Sequence, residues 1–201
     1  MARNESKNSI FHNEAFGWIK SILFAVLIAI LIRGFIFEPV EVDGVSMENT
    51  LHDRQRLIVY KLGYFFGEPK TGDIIVLKVH SGLSGFFQFL GKTPIINKAI
   101  PDLQEIDYIK RVIGVPGDSI DIKNGKVYVN GNELNEPYAK GITNSYSTGF
   151  PLKVEENKVF VLGDNRQNSH DSRHIGLIDY ADIKGKAVFR IWPFKDIGLI
   201  E

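Results

Sequence analysis

"DYIKRVIGVPGD" runs from Asp107 to Asp118. Its core, Tyr108 to Val115, reads as a β-strand, being aromatic and β-branched and stopped by Pro116-Gly117. Lys110 and Arg111 stand in the middle of it, one on each face by the two-residue period. Lys110 therefore shares its face with Tyr108 and Val112. Two readings are open. On a solvated sheet edge, such charges deter unwanted pairing. On a buried strand, a lysine is placed so that it loses its charge.

The strands around this one set the fold class. "PVEVDGV", "RLIVYKL", "DIIVLKV", "SIDIK", "KVYVNG", "KVFVLG" and "KAVFRIWP" all read as β. In "DIKNGKVYVNG", Asn124-Gly125 is a two-residue type I′ hairpin turn between alternating strands. No amphipathic helix of three or four turns follows residue 40, although "IDYADIKG" suits one short helical turn. The expected fold is mostly β, a barrel or sandwich in which several strands close on each other. The long connection "SGLSGFFQFLGKTPIINKAIPDLQ", Ser81 to Gln104, breaks the strand pattern, and such connections are more often functional than inert. Its Phe86, Phe87, Phe89 and Leu90, together with Tyr64, Phe65 and Phe66, suit either the core or an apolar surface that meets lipid.

The 201 residues carry 24 basic and 24 acidic side chains, so the charge is balanced and nothing points to nucleic acid. The chain has no cysteine, which removes disulfides, thiol nucleophiles and Cys-based zinc sites together. The N-terminal "FGWIKSILFAVLIAILIRGFIF", Phe16 to Phe37, is the one strongly apolar segment. With Lys20 and Arg33 snorkelling near its ends, about 20 residues at ~1.5 Å each cross a ~30 Å hydrocarbon core. Trp18 suits the interface. "RGFIFEPVEV" has no small-residue cleavage site, so the segment reads as an uncleaved membrane anchor rather than a removed leader, with a buried core helix as the alternative. Arg3, Lys7 and Lys20 favour a cytoplasmic N-terminus, and Arg33 weakens that bias. The expected division is 1–15 cytoplasmic, 16–37 transmembrane and 38–201 an extracytoplasmic β-rich catalytic domain.

Chemistry is concentrated in three places. Ser46 follows Gly44 in "EPVEVDGVSMENTL", where a strand gives way to a polar turn. A serine there is ordinarily a turn residue or cap; as a nucleophile it needs a base within hydrogen-bond reach. None of His12, His52, His80, His170 or His174 has a clear triad context. His170 and His174 with Asp171 resemble metal ligands only if a helix converges them, and surface histidines are the plainer reading. The alternative base is a lysine made neutral by burial. Moving its pKa from ~10.4 to ~8 corresponds to roughly 3 kcal/mol, so a packed strand suits it better than a loop. Lys110 meets that condition, and Lys61, Lys78 and Lys158 also lie near strands. The third place is "GDNRQNSHDSR", Gly163 to Arg173. It reads either as a turn-rich surface loop or as a brace of Asp-Arg contacts around the lysine.

In order after an N-terminal anchor, "DGVSM…TL", "RLIVYKL", "YIKRVIGVPGD" and "GDNRQNSHDSR" resemble the bacterial type I signal peptidases. Those are membrane-anchored Ser-Lys endopeptidases that cut signal peptides from exported proteins. The resemblance implies Ser46 as nucleophile, Lys110 as general base and the Ser169 hydroxyl as an aid in positioning the lysine. It implies that Asp171 and Arg173 brace the site and that Asp164, Asn165 and Arg166 shape the loop. Gly44 occupies a position where some members carry a serine that holds the oxyanion; here the Ser46 N–H remains, and Gly44 offers its own. Asn49 stands where members often carry proline.

On this reading an extended signal peptide lies along a strand edge near Ser46. Shallow pockets, with Met47 among their lining, admit the small side chains of an A-x-A-like site. No metal or organic cofactor is required. The expected partners are signal peptides of exported preproteins and membrane lipid, with secretion machinery as a further candidate for the 81–104 segment. Two rivals remain at this stage. One is a self-cleaving Ser-Lys protease resembling the LexA-type repressors. The other is a tethered β-domain that binds and catalyses nothing, in which Ser46 and Lys110 lie apart.

Overall fold

The computed structural model describes residues 2–79, 106–146 and 149–200. The 81–104 connection, with Phe86, Phe87, Phe89 and Leu90, lies outside the described residues, as do the side chains of Phe65 and Phe66. The contacts divide the chain into two units, Met1–Glu38 and Pro39–Glu201.

The first unit is helical. Helix α1 spans Ala2–Leu31 and continues as a π-helical turn over Ile32–Ile36. Its apolar stretch, Phe16–Ile36, is 21 residues long, and every residue from Phe16 to Phe35 is exposed. Leu, Ile, Ala and Phe without proline favour helix. Ser21 Oγ donates to Gly17 O, so the one hydroxyl in the stretch is satisfied within the helix. A helix apolar all round and uncovered by protein has the length and composition to cross a bilayer.

The second unit is built of strands, the first of which begins two residues before it, and the pairings among β2 to β12 are antiparallel. They are β1 Phe37–Glu41, β2 Arg56–Tyr60, β3 Ile74–Val79, β4 Ile106–Gly114, β5 Ser119–Lys123 and β6 Lys126–Val129. Then come β7 Asn132–Glu133, β8 Leu152–Lys153, β9 Lys158–Leu162, β10 Ile178–Asp179, β11 Ile183–Trp192 and β12 Gly198–Leu199. The larger sheet runs β1-β2-β11-β3-β4-β9-β10, with β12 on β11; the smaller runs β7-β6-β5-β8. The protein is mostly β, as its sequence pattern requires. The short helices are α2 Gly63–Phe66 and α3 Ser172–Ile175, and the expected turn in "IDYADIKG" is a 3-10 turn at Tyr180–Asp182.

Several boundaries differ from the sequence reading for local reasons. The first strand ends at Glu41, because the chain reverses at Gly44 with φ +98°, which favours glycine. The strand from Lys126 stops at Val129. Asn130-Gly131, with φ +55° and +82°, makes a second tight hairpin turn after the one at Asn124-Gly125.

β4 lies inside the larger sheet, bonded to β3 along one side and to β9 along the other. The edge reading of Lys110 and Arg111 is therefore excluded. Both are 3% exposed. Three apolar clusters surround them. One holds Val42, Met47, Leu51, Leu57, Ile74 and Ala187; a second holds Ile75, Leu77, Val112, Val159, Val161 and Ile178. The third, Ile113, Ile120, Val127, Val154, Phe160 and Leu162, joins the two sheets. Each of these side chains larger than alanine contributes roughly 1.5–3 kcal/mol by leaving water. Tyr64 does not belong to an apolar surface: it packs against the second cluster and donates its hydroxyl to Asp73.

Candidate active site

The turn after β1 carries Ser46. Backbone bonds from Glu48 N–H to Val45 O, and from the Thr50 and Leu51 N–H groups to Met47 O, tighten it. Met47 and Leu51, both fully buried, pin it to the first cluster. Asn165 holds it from the far side. Its N–H donates to Ser46 O at 3.0 Å and its amide nitrogen to Val45 O at 3.1 Å.

Lys110 reaches this turn from β4. Its Nζ lies 2.8 Å from Ser46 Oγ and donates to Ile109 O at 2.9 Å. The nearby carboxylates of Asp171 and Asp164 favour the charged amine. Burial outweighs them and pushes the Lys110 pKa down to about 8. Lys110 is the one buried lysine among the described residues; Lys158 is part-exposed and paired with Glu155. A neutral amine that donates to Ile109 O keeps its lone pair for the Ser46 proton.

Two buried ion pairs flank the lysine. Arg111, on the other face of β4, makes a bidentate contact with Asp164 and donates to Gly72 O and Thr50 Oγ1. The Tyr138 ring lies 4.0 Å from its guanidinium carbon. Asp171 and Arg173 form the other pair, both side chains wholly buried. Burial pushes the Asp171 carboxyl up, but Arg173 and the Gly163 N–H together hold it below the usual range. Gly163 is needed for contact: a Cβ there would stand 2.5 Å from Ser46 O and collide with Ser169 Oγ.

The structure thus brings Ser46 and Lys110 together, with Asp164, Asn165, Arg166, Asp171 and Arg173 packed around them. It departs from the sequence reading at two residues. The Gly44 N–H is taken by Asp53 Oδ1 at 2.8 Å, so it is not free for an oxyanion. Ser169 Oγ is buried with no hydrogen bond of good geometry, and none joins it to Lys110. The rings of His170 and His174 stack at 4.8 Å, while Asp171 turns inward to Arg173. Among the described residues no group of three His, Asp or Glu side chains is arranged to hold a metal ion.

Some supporting residues gave no sequence signal. Glu136, Tyr138 and Thr143 come from the segment after β7, and only the folded chain places them against Arg166 and Arg111. Thr50, the threonine of the "DGVSM…TL" motif four residues after Ser46, donates to Asp164.

A cleft of about 440 Å³ opens on the pair, lined by Val40, Val42, Met47, Val76, Tyr108 and Ile109 with Ser46 and Lys110. It draws on both β1 and β4, which have three strands between them in the sheet order, so the sheet curls to join them. Register shifts along β11 supply that bending. Met47 forms the cleft wall but is 1% exposed and shared with the core. The distance between Ser46 and Lys110 excludes the rival in which they lie apart.

A family model described as signal peptidase, peptidase S26, matches residues 15–192. Signal peptidase I of Bacillus licheniformis is 39% identical over 203 residues, spanning 96% of this chain and 97% of that protein. Signal peptidase I S of Bacillus subtilis (strain 168) is 38% identical over 190 residues, 90% of each chain. A solved signal peptidase I structure from Enterococcus faecalis, 25% identical, aligns with 59% of this chain and 96% of its own at a TM-score of 0.39.

Proposed function

The chain belongs to the signal peptidase family, peptidase S26, and is a serine endopeptidase with signal peptidase I function; on that premise we propose that it cleaves preproteins with a Ser46–Lys110 dyad. The observation that carries the dyad is the 2.8 Å approach of a buried lysine to a serine at the floor of an open cleft. Neutral Lys110 takes the Ser46 hydroxyl proton while Oγ attacks the scissile carbonyl. The Ser46 N–H donates to the oxyanion that develops. The lysine ammonium then protonates the departing amine of the mature chain, leaving an acyl-enzyme. Lys110, neutral again, activates a water that releases the signal peptide and regenerates the serine. Asp164 and Asp171 support the amine without becoming its ion-pair partners, because each is committed to an arginine.

The substrate lies extended in the cleft between the β1 and β4 walls. Val40, Val42, Met47 and Val76 give it an apolar lining suited to small side chains at an A-x-A-like site. The exposed Phe16–Ile36 helix supports an anchor over residues 16–37, and the basic residues before it support a cytoplasmic N-terminus. Residues 38–201 then work at the outer membrane surface. Trp192, Phe194, Ile197 and Leu199, exposed together at the C-terminal end of the catalytic unit, support its contact with membrane lipid.

The test is cleavage of a preprotein bearing an A-x-A site by the full chain in detergent. Wild type is expected to gain activity with pH through a midpoint about 8. Ser46→Ala and Lys110→Ala are expected to lose at least about a thousandfold. Wild-type rates from either variant would refute the dyad.

A further inference from the structure

The segment that follows β7 crosses behind the catalytic turn as a strap. Lys140 N–H donates to Asp164 O at 2.7 Å, and Arg166 N–H returns a bond to Lys140 O at 3.0 Å. Thr143 N–H donates to Gly125 O, which ties the strap to the first hairpin turn. Lys140 Nζ also pairs with Glu48 Oε2 at 2.9 Å, two residues beyond Ser46. The centre of the strap is a clamp on Arg166, which is 1% exposed. Glu136 receives both terminal nitrogens of that guanidinium, and Thr143 Oγ1 receives a further bond at 2.7 Å.

Arg166 has a second task. Its Nε donates to Gly163 O at 3.1 Å, and its own carbonyl accepts from Arg173 at 2.8 Å. The turn it closes contains Asn165, which holds Ser46 O and Val45 O. A continuous path of hydrogen bonds therefore runs from Glu136 through Arg166 and the 163–165 turn to the backbone of Ser46. We propose that Glu136 is a positioning residue for cleavage, acting through Arg166 to hold Ser46 at the distance where its Oγ meets Lys110 Nζ. The inference rests on Ser46 and Lys110 being the reacting pair.

Two quantities depend on that alignment. One is the rate of the chemical step, because misplacing the serine lowers kcat while the cleft walls, and hence KM, stay in place. The other is the dryness around Lys110, whose titratable surroundings are Tyr108, His170, Asp164 and Asp171, with Glu41, Asp43 and Asp107 lining the same cleft. A loosened turn admits water and lets the amine return toward its ordinary basicity. Simple loss of folded protein would scale the pH profile without moving its midpoint.

The experiment uses the full chain in detergent, assayed well below each variant's melting point, with rates expressed per folded molecule from circular dichroism. Glu136→Gln is expected to lower kcat about tenfold with KM within about twofold, and to raise the midpoint of the pH–rate profile by at least roughly 0.5. Thr143→Val, a milder loosening of the same clamp, moves both in the same direction and decides the matter if Glu136→Gln does not fold. A kcat per folded molecule equal to wild type, or a lower kcat with an unmoved midpoint, overturns the proposal. Wild type and Ser46→Ala run beside them: a Ser46→Ala protein that still cleaves refutes the dyad itself, whatever Glu136 does.

Discussion

Lys110 and Arg111 are neighbours on one strand, equally buried, and the protein treats them in opposite ways. Arg111 is given a carboxylate in bidentate contact, a backbone carbonyl, a hydroxyl and an aromatic face. Lys110 is given a serine, one carbonyl and the Tyr108 ring at 5.0 Å, with no carboxylate in bonding contact. Burying a charge is costly unless it is paired and hydrogen-bonded. Guanidinium cannot shed its proton, so its surroundings must supply partners. An amine can, so withholding partners makes it a base. The alternation of a β-strand is what lets one pair of residues serve both ends, since each faces a different environment.

The largest test of this contrast is Arg111→Met. It leaves Asp164 buried without its cation, and breaking a buried pair costs about 3–5 kcal/mol. For a unit of this size that is a fall of roughly 6–20 °C in melting temperature, at about 2–4 °C per kcal/mol. Thermal melts of the full chain in detergent at pH 7 measure it. A change below about 1 kcal/mol would mean that Asp164 finds other partners and that the two cations are not differently treated.

The next test should give the opposite sign. Lys110→Met removes an amine whose folded pKa is about 8 against an ordinary 10.5. Below pH 8 the folded chain bears the cost of protonating a buried amine, about 3 kcal/mol. Between 8 and 10.5 the unfolded chain holds a proton that the folded chain lacks, so wild-type stability rises with pH and the cost fades. Lys110→Met is therefore expected to be inactive yet more stable by about 1–3 kcal/mol at pH 7, after allowing for the bonds it loses. The gain should shrink toward pH 10. A stabilisation that does not vary with pH would show that packing, and not the buried charge, is responsible.

These contrasts also mark where sequence reading stops. The longer strands were legible because apolar or β-branched residues run together, as in Ile74–Val79, or alternate, as in Ser119–Lys123, between turn signals. β7, β8, β10 and β12 are two residues long, too short to show a period. Asn130-Gly131 carried the same turn signal as Asn124-Gly125 but was absorbed into the preceding strand. A lysine amid apolar strand residues was visible as a problem. Its resolution was not, because whether β4 is an edge or a centre depends on pairings far along the chain. The serine, the lysine and the Gly163–Arg173 segment stood out by local composition. Glu136, Tyr138 and Thr143 sit in an unremarkable connection, and their contacts span 23 to 30 residues for Arg166 alone.

The smallest test concerns the aromatic face beneath Arg111. Tyr138→Leu keeps most of the apolar contact and removes the ring quadrupole, at an expected cost of about 1 kcal/mol for a part-buried cation–π pair. Tyr138→Phe keeps the ring and loses only a long hydroxyl contact with Glu136 at 3.4 Å, so it should melt close to wild type. Burial pushes the Tyr138 phenol up to about 12, so the ring stays neutral throughout the range in which Lys110 titrates. The Tyr138→Leu penalty should therefore be flat from pH 7 to 10, whereas the Lys110→Met gain declines over the same range. If Phe is as damaging as Leu, the hydroxyl matters and Arg111 is held by its hydrogen bonds alone. If the Leu penalty itself follows the lysine titration, the two faces of β4 are coupled through the strand, and neither cation can be understood without the other.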